Sequence, residues 1–219
     1  MGARHGAILA VVAALAGAGA AAGPADRVLR ACAAGPGGDP AATLMAEGWQ
    51  QPDASDLPAV HARIGLLADA TEASTVRFPL DVLRTDEGQR EVRGRKRLDR
   101  DGAGARHVFL TPGDGTTVVQ ITTHSAPRPT LYCMISTVGN REAAEIGRRL
   151  IALTDRDKVQ GFGGIISAQS ARTPPDVPTK DVSATPLPDV WQLLTIDLDM
   201  NGDLADADMF IEGFWWDRP

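Results

Sequence analysis

Two cysteines, Cys32 and Cys133, restrict this chain more than any other feature, and what they do depends on the compartment they meet. The opening residues speak to that. Met1 to Gly6 carry Arg4 and His5, and Ala7 to Ala22 contain only Ala, Gly, Val, Leu and Ile. Ala18-Gly19-Ala20 and Ala20-Ala21-Ala22 each end this run on the small residues that a signal peptidase selects. Ala and Gly partition weakly into lipid, so residues 1–22 read as a removed secretory signal rather than a retained span. Leu29-Arg30-Ala31-Cys32 loosely resembles a lipobox, but Asp26, Arg27 and Arg30 interrupt the apolar approach that lipidation needs. The expected location is therefore the periplasm or the exterior, where disulfides persist. There the two cysteines have only each other. Closing a loop of about 100 residues is worth up to about 4.7 kcal/mol in the chain-entropy model. The rivals are two buried thiols or a redox pair, and a redox pair is usually spaced C-x-x-C.

The 219 residues are 43% apolar and 23% charged, enough to bury a core. A net charge of −6 argues against general nucleic-acid binding. No membrane span is expected in the mature chain. A helix is predicted from about Ala25 to Ala33, with Val28, Ala31 and Cys32 on one face. Asp39-Pro40 starts another and Gly48 ends it; a third spans about Leu57 to Ala70. Val76 to Leu83 reads as extended. Strands follow at 106–111, 116–123 and 130–138, with Pro112-Gly113-Asp114-Gly115 as the turn between the first two. Asn140 caps a helix to about Leu153. Gly161-Phe162-Gly163-Gly164 reads as a loop. Five prolines in residues 172–189 make an irregular connector. The expected organisation is a signal peptide (1–22), an α+β domain (23–171), the connector (172–189) and a C-terminal hairpin (190–219) docking on that domain. The hairpin is placed at the sheet edge or across the sheet.

The last segment holds the most specific pattern. With Asp197 as position 1, oxygen-bearing side chains fall at 1, 3 and 5 (Asp197, Asp199, Asn201), Gly202 at 6, Leu204 at 8 and Asp208 at 12, with Asp203 a further acid in the candidate set. That is how an EF-hand loop wraps Ca²⁺, although position 12 is Asp rather than Glu. The competing reading is a plain β-hairpin, with Leu194, Ile196, Leu198 and Met200 alternating with polar residues and Asn201-Gly202 as a type I′ turn. Both stay open. Residues 181–219 hold nine acids against one Arg, whereas Arg84 to Arg106 hold eight Lys or Arg against five acids, densest at Arg93, Arg95, Lys96 and Arg97. Either segment reads as a protein-partner surface, complementary between copies, or as a plain solvated loop or strand face. Phe210, Phe214, Trp215 and Trp216 read as core anchors before a recognition patch, as does Trp49.

His61, His107 and His124 show no metal spacing, and His61 reads as a structural histidine. G-x-S-x-G, P-loop and dinucleotide fingerprints are absent, so catalytic residues and cofactors are assigned to none, with calcium the alternative. An enzyme whose groups converge only in three dimensions stays open.

The Cys-bearing first helix leading to Gly48-Trp49, and the Cys133 strand running into an amphipathic helix, resemble small exported proteobacterial α+β proteins of unassigned activity. The resemblance covers roughly residues 25–50 and 128–153. It implies a disulfide between first helix and sheet and says nothing of catalysis. The expectation is an exported α+β protein, an antiparallel sheet packed against the N-terminal helices and one mid-chain helix, with a non-catalytic binding or envelope-associated role.

Overall fold

Side chains of the central strands alternate between two faces and are buried on both, which builds a sheet with helices on each side. The computed structural model describes residues 23–76, 86–102, 104–125, 129–153, 159–162, 165–173, 185–199 and 201–216. Seven strands form one antiparallel sheet: β1 (Ala105–Leu110), β2 (Thr117–His124), β3 (Thr130–Val138), β4 (Val159–Phe162), β5 (Ile166–Arg172), β6 (Val190–Ile196) and β7 (Asp208–Trp216). Their order is β1-β2-β3-β7-β6-β5-β4. Cys133, Ile135, Met209, Ile211, Trp191 and Leu193 project to one face, which α1 (Pro24–Cys32), α2 (Pro40–Ala46) and α5 (Arg141–Ala152) cover. Tyr132, Met134, Phe210, Leu194 and Ile166 project to the other, beneath α3 (Leu57–Val76) and α4 (Glu87–Arg100). The fold is α+β. No described helix is long and apolar enough to cross a membrane.

Local signals predicted much of this. Asp39 and Asn140 cap α2 and α5, accepting hydrogen bonds from the backbone N–H groups of Ala42 and Ala143. Cys32 and Cys133 form the disulfide, tying α1 to β3 with their Cα atoms 6.6 Å apart. Trp49, Phe210 and Trp215 are buried, Phe214 is half-buried, and Trp216 is the exposed member of the aromatic tail.

Other expectations are corrected. Most of the basic segment, Glu87 to Arg100, is neither loop nor strand face but helix, capped by Asp86 through the Gln89 N–H, while Arg106 is exposed on β1. The helix lacks an apolar stripe, because Val92 is half-exposed and only Leu98 packs into the core beneath. The close approach of two glycines holds it instead. A Cβ on Gly94 would collide with the His61 carbonyl oxygen, and one on Gly65 with that of Arg90, so the backbones of α3 and α4 touch. Gly161 and Phe162 belong to β4 rather than to a loop, and β5, made mostly of small and polar residues, carried no strand signal. The C-terminal pair β6–β7 is antiparallel but does not sit at an edge, since β7 lies between β3 and β6. Nor is Asn201-Gly202 a two-residue turn: the connection runs from Asp197 to Ala207. Beyond Val76, which ends α3, the expected extended segment lies outside the described residues, as do residues 174–184 of the connector.

Candidate functional site

Three polar groups interrupt the apolar sheet face beneath α3 and α4, and strand register sets their order. Ser136 lies beside Phe210, and Glu212 beside Met134 and Gln192, while His107, Thr122 and Tyr132 fall in one cross-strand row.

The first group sits in a cleft of about 640 Å³ between the first turns of α3, the start of α4 and the β1–β2 turn. Ala59, Val60, Ala62, Leu66, Val118 and Val138 make its apolar wall, Arg63 with Asp208 make a fixed polar end, and Asp56, Glu87 and Arg90 line it as well. Arg63 is fixed from several sides. Its Nη1 donates to Asp208 Oδ1 at 2.7 Å, its Nη2 to Ser136 Oγ at 2.7 Å, and its guanidinium lies 5.2 Å from the centre of the Phe210 ring. The turn opposite is fixed by Asp114. Burial works to raise its pKa, but hydrogen bonds from the Thr116 and Thr117 N–H groups and the Thr117 hydroxyl outweigh this and hold the carboxyl below its usual range. The cleft therefore has an ordered rim before any ligand enters.

In the second group Tyr132 donates to Glu212 Oε1 at 2.6 Å, and Arg97 Nη2 donates to the same oxygen at 2.9 Å. Burial pushes the Tyr132 phenol well above its ordinary range, the Glu212 charge adds to this, and Arg97 opposes it. In the third, Thr122 Oγ1 lies 2.9 Å from His107 Nδ1 and accepts from Gln120 Nε2 at 3.0 Å, while His107 Nε2 stands 3.6 Å from Asp101. The order acid, imidazole, hydroxyl invites comparison with a nucleophile and its base. Yet the hydroxyl-bearing residue, Thr122, is 1% exposed, which seals it from a substrate.

The charged segments meet within one chain. Arg97 of the basic segment pairs with Glu212 of the acidic one, while Arg93 pairs with Asp69 and Arg95 with Glu91. Three of the four densest cations are thus engaged internally. In the 197–208 loop, Asp197 accepts from the Gly202 N–H at 2.6 Å, Asn201 from Asp203 N–H, and Asp203 from Ala205 N–H and Arg148, while Asp199 is exposed. Asp208, position 12 of the calcium pattern, bonds Arg63 instead. Among the described residues no group of three or more His, Cys, Asp or Glu side chains could hold a metal ion. His61 lies edge-on to Phe109 at 6.0 Å; burial and then the Arg95 charge lower its pKa, against the pull of Glu91.

Sequence reasoning missed the cleft because its walls come from five separate segments; the helix from Leu57, the turn 112–115 and the strands flanking it had local signals, but nothing local showed that they face one another. No protein-family model, curated protein or solved structure matches this chain.

Proposed function

We propose that this chain is an exported protein, periplasmic or secreted, that binds a small amphiphilic ligand in the cleft beside α3. The carrying observation is the cleft itself. Its volume of about 640 Å³ falls in the range of small-molecule sites, and an apolar wall beside a fixed polar end and a few further polar groups is their usual chemistry. Arg63 and Asp208 supply that end, so a ligand with an apolar body and a charged or hydrogen-bonding head is the expected class. Export is supported by the leader pattern of residues 1–22 and by a disulfide that an oxidising compartment would maintain.

The test uses anilinonaphthalene sulfonate, an apolar body with an anionic head, and the native protein. Saturable binding is expected, weakened about tenfold or more by Ala59→Trp, which fills the cleft from the exposed side of α3. No saturable binding, or equal binding by the variant, overturns the reading.

A further inference from the structure

The N-terminus of α1 meets a carboxylate from a distant part of the chain. Glu142, in the first turn of α5, accepts from the backbone N–H of Ala25 at 3.0 Å and of Asp26 at 2.9 Å, bridging the start of α1 in place of a capping side chain. Gly23, just before that helix, is pressed against the same carboxylate. A Cβ built there would lie 2.8 Å from Glu142 Oε1 and closer still to Oε2. The Gly23 nitrogen is bonded to the same Cα, so covalent geometry alone holds it within about 5 Å of the carboxylate. Among the described residues no Lys or Arg forms a salt bridge with Glu142.

We infer that the chain is cut between Ala22 and Gly23, and that the freed α-ammonium of Gly23 forms an ion pair with Glu142. The inference rests on the export reading above, and the structure supplies what sequence could not: a choice between two small-residue exits. Ala20-Ala21-Ala22 directs the cut to the bond before Gly23, whereas Ala18-Gly19-Ala20 directs it two residues earlier. Hydrolysis adds water across the Ala22–Gly23 peptide bond. The hydroxyl goes to the Ala22 carbonyl carbon, giving a carboxylate, and the nitrogen leaves with Gly23 as an amine protonated at neutral pH. Only this cut places the new positive charge on the residue touching Glu142. A cut after Ala20 leaves an uncharged amide there and moves the ammonium up to about 7 Å along the chain. The positive end of the α1 dipole repels an ammonium, and the Glu142 carboxylate lies against both.

The intact mass of protein recovered from the exported fraction is the first measurement. It should correspond to a chain starting at Gly23. A start elsewhere in an exported, folded protein overturns this inference and leaves the export and binding readings standing, whereas an uncut chain retained in the cytosol overturns this inference and export together and leaves binding to the anilinonaphthalene sulfonate titration. The second measurement compares mature protein starting at Gly23 with protein starting at Ala21. The Gly23 form should melt about 2–4 °C higher, and Glu142→Gln should erase the difference. Equal melting of the two forms with Glu142 present overturns the ion pair, even if the Gln variant does not fold.

Discussion

Gly94→Ala sets two physical effects of opposite sign against each other. By helix propensity alone, alanine inside α4 should stabilise the protein by about 0.8–1.0 kcal/mol. The fold demands the reverse, because the new methyl would run into the His61 carbonyl oxygen. That atom is backbone of α3, whose opposite face is locked by Val60, Ile64 and Leu67, so it cannot rotate aside as a side chain would. Overpacking of this kind costs about 1–3 kcal/mol. If α4 instead lifts away, it weakens the Arg97–Glu212 contact above a carboxylate that is 3% exposed. Set against the propensity gain, the net effect should be a destabilisation of about 1 kcal/mol, a fall of about 0.5 M in the urea midpoint at an ordinary denaturant dependence. Gly88→Ala in the same helix is the control. Its new Cβ meets only Asp86 Oδ1, at 3.4 Å, so it should be neutral or slightly stabilising. Unfolding in urea followed by circular dichroism compares the two. If Gly94→Ala matches or exceeds the wild-type midpoint, the backbone contact between α3 and α4 is not as described.

Tyr132 is the only tyrosine, so its ionisation can be followed by absorbance. Its folded pKa is raised, so its contribution to stability is complete below the unfolded value near 10 and is lost as pH rises toward the folded one. Tyrosinate should therefore form together with unfolding; a titration near pH 10 with structure intact would contradict the buried contact with Glu212. Replacing both cysteines by serine should cost up to about 4.7 kcal/mol for a closed loop of this length, and the unreduced mature protein should yield no free thiol; two titratable thiols would remove the staple. Because Asp208 is committed to Arg63, melting curves with Ca²⁺ and with chelator should superimpose. A rise with Ca²⁺ that Asp197→Ala removes would show that the loop can recruit its twelfth position after all.

What could be read locally was read well. The caps at Asp39 and Asn140, the meander β1–β3 and the amphipathic α5 each depend on residues within a turn or a strand of one another. α4 escaped because its sequence, rich in Arg and Glu, carries no stripe; its attachment lies in a glycine whose partner is 29 residues away, at Gly65. The calcium pattern at 197–208 shows the converse. Its spacing is real, but a contact from α3 engages the last acid, and spacing along the chain has no access to that contact.

By itself, the sequence determined which segments become helix or strand over most of the described chain, and that two lone cysteines join. Those outcomes follow from capping, periodicity and the absence of any other thiol. Tertiary structure alone decided that β7 takes the middle of the sheet, since a strand buried on both faces has the same pattern beside any neighbours. It alone brought Arg97 to Glu212 across 115 residues and Arg63 to Asp208 across 145. It also opened the cleft, because cavities arise where separate elements fail to close, and no single element encodes that gap.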